Sequence, residues 1–548
     1  MAKSEADVSS LFVRKATGLV RAWSVWDAFI YATFSINLVT LGLYIFSQMY
    51  FLEGGMLPTL LISAVFILAE CVVYAALVAV MPRSGGDYVW QSRILGGGIG
   101  FVLAVTGWWF ILWLWVPLYG DMLRHIFLTP VLGILGARDA ALWFGQTNAG
   151  MFLASLLVCL IATVYIALGM KWYARIQRVS FIIGMIGLLV VFGLLFFGNS
   201  QNFQTGLASQ APALFGAPPD VYDATLKAGE AAGAVSPLAG GSLQAIFLAM
   251  PFIVFFNLWP NWGSTLYGEV RGATDFKRNL WGMAGALIVT TLLGAVFFLL
   301  VSKTFTWDFY VRANGAWWNY AWGYTDQAPP LPIWPYPALL AVLMTPNRLV
   351  QLLVIVMMSL WWFGWSGTVF LSSTRVIFAA AFDRLLPEKV AEVDPKTRTP
   401  VYALLLMVIP SIIVSALFAW NVFNFRSLTL DSTLVIAVTY LGSTIAAILL
   451  PYRKKELYEA SPIAKYKVLG LPLISVAGVV FAAFLIFLLY LWLFDPLRLY
   501  GIGLQNTSSV IFMLVNYMLA TAIYWGFKLY RRATGIDIRK VHQEIPVE

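Results

Sequence analysis

The amino-acid sequence predicts an all-α integral membrane protein of about twelve transmembrane helices. Three observations carry that expectation. The 548 residues are 60% hydrophobic and only 11% charged, too little charge to cover a water-soluble surface of this size. Apolar runs of about 20 residues recur from end to end, each long enough to cross the ~30 Å hydrocarbon core of a bilayer. The polar stretches between them alternate between basic and non-basic, as loops on opposite sides of a membrane do.

In order, the runs are 24–49, 57–81, 98–127, 148–169, 176–198, 244–267, 279–302, 347–380, 400–420, 431–451, 470–494 and 506–529. The first follows a polar segment with Arg14, Lys15 and Arg21. It is too long for the core of a cleaved signal and lacks a small-residue cleavage pattern, so it reads as a retained span. Segment 347–380 is longer than a crossing needs and is expected to tilt or run on past the membrane. The longest connections, 199–243 and 303–346, are rich in Gly, Pro, Ala or aromatic residues and poor in Lys and Arg.

Basic residues set the orientation. Arg83 and Arg93, then Lys171, Arg175 and Arg178, then Arg271, Lys277 and Arg278, mark alternate loops. The pattern continues through Arg375, Arg384 and Lys389, through Arg453, Lys454 and Lys455, and into a tail with Arg531 and Arg532. The positive-inside rule then places both termini in the cytoplasm of a multi-pass plasma-membrane protein. The net charge of +9 is spread over many loops, so nucleic acid is not an expected partner. Cys71 and Cys159 lie in apolar runs and read as small buried hydrophobes. His125 and His542 are the only histidines. No metal, cofactor or obligate protein partner is expected. No nucleophile–base or metal-ligand constellation points to an enzyme.

Within span six, FFNLWPNWG (Phe255 to Gly263) places Asn257, Pro260 and Asn261 in the middle of an apolar helix. Proline removes a helical hydrogen bond, and freed backbone groups at membrane depth survive only inside protein or beside a wet cavity. Span one holds a related stretch, FSINLVTLGLY (Phe34 to Tyr44), with Asn37-Leu38 before Gly42 as Asn257-Leu258 precedes Gly263. Spans one and six enter from opposite sides and open two five-helix sets, 24–198 and 244–451. The remaining segments are 1–23 (cytoplasmic), 199–243 (an extracytoplasmic loop), 452–529 (two further helices) and 530–548 (a cytoplasmic tail). Inverted repeats with paired broken helices build midplane sites in secondary transporters.

Three loops resemble the signatures of the amino acid–polyamine–organocation transporter superfamily. They are MPRSGGDYVWQSRILGGGIGF (Met81 to Phe101), YGEVRGATDFKRNLWG (Tyr267 to Gly282) and SSTRVIFAAAFDRLLPEKVAEVDPKTRTPVYALL (Ser372 to Leu405). They stand in the family's order and on the side of the membrane that the orientation requires. The resemblance implies a leucine-transporter-like fold, a 5+5 inverted repeat plus two C-terminal helices. It implies alternating access around a site between helices one and six, and an amino acid as substrate. Carried over by position, the site residues are Ser35, Ile36 and Asn37 on helix one, and Phe110, Ile111 and Trp115 on helix three. Helix six supplies Phe255, Asn257, Leu258 and Trp259, with its break expected at 255–259, and helix eight supplies Val369. The chain departs from the family pattern in three places. Ser35-Ile36-Asn37 stands where many relatives have G-x-G. Gly184 stands where proton-coupled or exchanging relatives carry a lysine, and Gly364 and Trp365 where sodium-coupled relatives carry hydroxyl residues.

Single residues refine the reading. Glu70, in the middle of span two, is a candidate for proton coupling, because a carboxylate at that depth is costly unless it has a task. Asp27 is expected to form an inner-gate ion pair or to mark a helix start. Asp121 and Arg124, one turn apart, are expected to pair with each other. The PRSGGDY loop reads as a gate or hinge; no strand precedes it and no Lys-Ser/Thr follows, so it is not a phosphate loop. The projected pocket lacks an acidic side chain, which favours a zwitterionic, neutral amino acid that is large and apolar. The functional expectation is a secondary amino acid transporter, proton-coupled or exchanging. The alternatives are a transporter of another small amine or organic solute, and a non-transporting sensor or structural subunit on the same fold.

Overall fold

The computed structural model describes residues 23–397 and 399–543. Among these, twelve helices are long and apolar enough to cross a membrane. Spans one to six are Val25–Gln48, Met56–Val80, Gly97–Ile134, Asn148–Ala167, Met170–Phe197 and Leu243–Glu269. Spans seven to twelve are Phe276–Phe305, Arg348–Phe382, Val401–Ala419, Val422–Arg453, Leu473–Phe494 and Thr507–Ala533. All twelve fall on the predicted runs. The basic segment with Lys3, Arg14, Lys15 and Arg21 lies outside the described residues, as do Arg398 and the last five residues.

The differences have local causes. Span three runs on to Ile134 because its polar residues find partners within the helix bundle. Arg124 Nε donates to Asp121 Oδ1 at 2.7 Å and Nη1 to the Phe144 carbonyl at 3.1 Å, so the charge does not end the helix. Two π-turns, Thr106–Phe110 and Arg124–Leu128, absorb the irregularity. Span eight divides into Arg348–Trp365 and Thr368–Phe382 around Ser366 and Gly367. The Gly364 carbonyl accepts from the Tyr173 hydroxyl at 3.0 Å and Gln177 Nε2 at 3.1 Å, both on span five.

The two long connections are folded. Residues 199–243 form helices Ser200–Phe215 and Val221–Ala231, and 303–346 form Trp307–Ala321 and the short Pro337–Val342. Asn199 and Thr306 cap the first and third through their side chains, a signal that the low basic content of these loops hid. Tyr222 stacks on Phe309 with centroids 4.7 Å apart, and Arg312 bridges Glu230 and Asp308. The indoles of Trp318 and Trp334 both donate to Ser47 Oγ, at 2.8 and 3.2 Å, closing the C-terminal end of span one.

On the basic side, the PRSGGDY loop re-enters the protein as helix Asp87–Ile94, all of whose residues are buried. The turn needs its glycines. Gly85 has φ 94°, and a Cβ on Gly86 would meet the Ser264 carbonyl oxygen at 2.9 Å. The loop thus packs directly on the second half of span six, and Gly85 N–H donates to the Thr265 carbonyl at 2.8 Å.

Candidate functional site

Both predicted breaks exist, and each lies at or beyond the end of its expected window. In span one the helix runs through Ser35 and Ile36, and Ser35 Oγ donates to the Tyr31 carbonyl at 2.8 Å. Only Asn37 leaves it, in the left-handed region at φ 48° and ψ 78°. Asparagine tolerates that region because its amide can bond nearby backbone. Here Asn37 Oδ1 accepts from Thr40 N–H and Nδ2 donates to the Trp361 carbonyl, each at 3.0 Å. One asparagine therefore makes the break where G-x-G is missing.

Span six is helical from Leu243 to Asn257; Leu258, Trp259, Pro260 and Asn261 lie outside regular helix, and a 3₁₀ segment follows, Trp262–Glu269. The expected window 255–259 is corrected to 258–261. Phe255 stays helical because Pro260, which lacks an N–H and restricts the residue before it, acts only on its own turn. Trp259 Nε1 donates to the Phe255 carbonyl at 2.7 Å, capping the helix end from beyond it.

Between the two breaks the core is aromatic. Trp115 of span three stacks on Phe255 at 5.5 Å and on Trp262 at 5.4 Å, and meets Trp259 edge-on at 5.0 Å. Its indole N–H donates to Ser432 Oγ of span ten at 2.9 Å. Trp108 leans on Trp262 at 4.7 Å, and Tyr440 of span ten packs on Trp108 and Trp259. Tyr119 stacks on Trp365 at 3.6 Å. Of the residues the sequence singled out, Trp115, Phe255 and Trp259 meet in this cluster. Ile36, Ile111, Leu258 and Val369 are fully buried. Phe110 is turned elsewhere: its ring contacts are with Trp109 and Trp113, whose indoles reach the Leu406 carbonyl of span nine.

Asn257 Nδ2 donates to Ser63 Oγ of span two at 2.8 Å, while its Oδ1 has no hydrogen-bond partner. Asn261 is fully buried and neither end of its amide is hydrogen-bonded. It faces the Tyr440 hydroxyl. Sequence reasoning noticed Asn261 but did not place it in the site, because a one-turn shift of the break was not legible from spacing. Trp108, Trp262, Tyr119, Trp365, Ser432 and Tyr440 were missed as well. For the tryptophans the only signal was abundance, which interface and core helices share.

Glu70 is fully buried, and both of its carboxylate oxygens lack hydrogen-bond partners. It lies close to Tyr440 and Tyr74. The pocket lining itself holds no acidic side chain, but a carboxyl stands one tyrosine away. At the positions that depart from the family pattern, bulk takes the place of ligands. Trp361 Nε1 donates to the Gly184 carbonyl at 3.0 Å, and a Cβ there would meet the indole.

Polar bonds close both ends of the cluster. On the basic side Arg375 Nε pairs with Glu269 Oε1 at 2.7 Å, both side chains 1% exposed. Trp23 N–H donates to the Glu269 carbonyl and Arg271 N–H to the Trp23 carbonyl, stitching the start of span one to the end of span six. Asp27 marks the helix start, in a capping box with Ser24, and pairs with Arg178 at 2.6 Å. On the other side the Tyr44 hydroxyl donates to Asp121, which also takes Arg124.

None of the curated proteins matches this chain at a significant level. A family model described as amino acid permease matches residues 24–525, from the start of span one to near the end of span twelve. Broken spans one and six, twelve crossings and that match together place the chain in the amino acid permease family of the amino acid–polyamine–organocation superfamily.

Proposed function

We propose that this permease is a secondary active transporter of neutral, large apolar amino acids, working by alternating access from a site at the breaks of spans one and six. The observation that carries the reading is Asn261: a buried amide that makes no hydrogen bond of good geometry, facing the Tyr440 hydroxyl at a helix break against a wall of tryptophan. Leaving such a group unsatisfied costs roughly 1–3 kcal/mol, and a ligand's polar groups would recover it. The helix ends at each break offer N–H groups to a carboxylate and carbonyls to an ammonium. Trp115, Trp259, Trp262 and Phe255 offer the matching surface for an apolar side chain.

The ion pairs of the basic side and the Ser47 and Tyr44 bonds of the opposite side are the gates of this cycle, opening in turn. Basic-loop asymmetry supports a plasma-membrane protein with both termini cytoplasmic. Coupling by proton or exchange is the mode we favour, with Glu70 as the titrating group. One observation favours a second substrate class, an organic amine: Glu70 behind Tyr440 beside a tryptophan cage suits a cation.

Counterflow tests the reading without knowledge of the coupling ion. Purified protein in liposomes loaded with mixed unlabelled amino acids should accumulate a labelled neutral one, and Asn261→Ala should need about tenfold more substrate to do so. Uptake of labelled amines alone would move the substrate to the second class. No accumulation of any solute by folded protein would leave a sensor or structural role.

A further inference from the structure

Asp87 is the first residue of the re-entrant helix, fully buried, and its Oδ1 accepts from Tyr74 of span two at 2.7 Å and Ser443 of span ten at 2.6 Å. Glu70 lies one helical turn before Tyr74 on the same face of span two. Each carboxylate lies in the field of the other. Like charges sharing a dry site cannot both ionise at low cost. Among the described residues, no basic side chain forms an ion pair with either. The basic groups of flanking elements are engaged elsewhere: Arg93, on the same short helix, with Asp383, and Arg375 of span eight with Glu269.

The remaining groups facing the pair are neutral. From span two they are Cys71 and Tyr74, from span three Trp108, from span six Tyr267 beside Cys71, and from span ten Tyr440 and Ser443. Gln91 locks the arrangement by donating to Ser443 Oγ and the Thr439 carbonyl, each at 2.8 Å. Tyr440 lies near both Glu70 and Asn261, its hydroxyl bonded to neither.

From this geometry we propose that Glu70 and Asp87 form a single proton-binding site, with Tyr440 connecting it to the Asn261 end of the broken span six. One proton from bulk water adds to a Glu70 oxygen and takes the pair from two negative charges to one. Burial pushes the Asp87 carboxyl up to about 6, in keeping with a pair that competes for that proton. Asp87 enters the site only because the PRSGGDY turn folds the loop inward, so movement of that loop would expose the proton to the basic side. The site's role in coupling rests on the transport reading above; its existence does not.

Infrared spectroscopy of the purified protein in lipid tests this directly. The probe is the carbonyl stretch of a protonated carboxylic acid, followed against pH in choline chloride. Wild type should show the band at neutral pH and Glu70→Gln should lose it. Asp87→Asn should keep the band but lower its titration midpoint by about one unit, because a like charge has gone. Should Asp87→Asn misfold, Ser443→Ala serves instead: it removes a bond to ionised Asp87 and should raise that group's midpoint. An absent wild-type band, or midpoints unmoved by Asp87→Asn and Ser443→Ala, would overturn the proposal. So would a band abolished by sodium chloride in place of choline chloride, which would make this a metal-ion site. Counterflow on the same preparation separates the two claims. A band with the expected shifts but no counterflow supports the proton site and removes the transport reading. Counterflow without the band does the reverse.

Discussion

In span one the break is a single residue, Asn37, and both ends of its amide are bonded to protein, to Thr40 and to Trp361. In span six residues 258–261 leave the helix, and the asparagine that ends the gap has no bond at either end of its amide. Matched in sequence, the two breaks differ in how their polar groups are used. The first is a structural joint whose amide replaces the hydrogen bonds that an unbroken helix would have made. The second keeps unspent polar groups at the centre of the bundle. Asn257 lies between these cases, with one end on Ser63 and one free. A ligand gains most where the protein has left most unsatisfied, so recognition should depend more on span six than on span one.

The largest expected effect tests what holds the second half of span six. Arg375→Met leaves Glu269 buried and unpaired, which should cost about 3–5 kcal/mol. A melting temperature unchanged in detergent would show that this segment does not lean on the ion pair. Next is pH. The folded-state Asp87 carboxyl is raised to about 6 from 3.8 by burial, so its contribution to stability is full below the lower value. It is lost as pH rises through the upper one, by roughly 3 kcal/mol in all. Asp87→Asn should flatten that part of the pH–melting profile, and an identical slope in the variant would refute it.

Asn37→Leu should then cost about 2 kcal/mol by removing a buried cap and the tie to Trp361. If the leucine variant melts like wild type, span one is not the fixed joint. The smallest effect on stability belongs to Asn261→Ala, at about 0.5 kcal/mol or less, yet substrate affinity should fall about tenfold. Measured together, the two asparagine variants should separate folding from binding, and equal losses of stability would erase the contrast between the breaks.

Twelve crossings, their order and the two broken spans were legible from the chain, because hydrophobic run length and proline act locally. The span boundaries were less so. Span three was read to residue 127 and runs on to Ile134, with Arg124 bonded to Asp121 in its own helix and to the Phe144 carbonyl of the next. Residues 199–243 and 303–346 read as loops because nothing in their composition announces the caps at Asn199 and Thr306. The aromatic cluster was half visible. Trp115, Phe255 and Trp259 were named from the family pattern and do meet. Asn261, Trp262 and Tyr440 join them only because Pro260 moves the break by one turn and span ten packs across it.

What the sequence determined by itself is therefore the membrane class, the family and the places where helices must break. Which polar groups are left unspent was decided by tertiary structure. Asn37 and Asn261 are the same residue in similar apolar surroundings. They differ because Trp361 and Thr40 come within bonding distance of one and no protein group bonds the other. Likewise Asp87 belongs to a loop in the sequence and to the buried core in the fold. Two glycines turn that loop back against span six, and Tyr74 and Ser443 receive its carboxylate there. Hydrogen bonds between residues far apart in the chain depend on packing, and packing leaves no local signal to read.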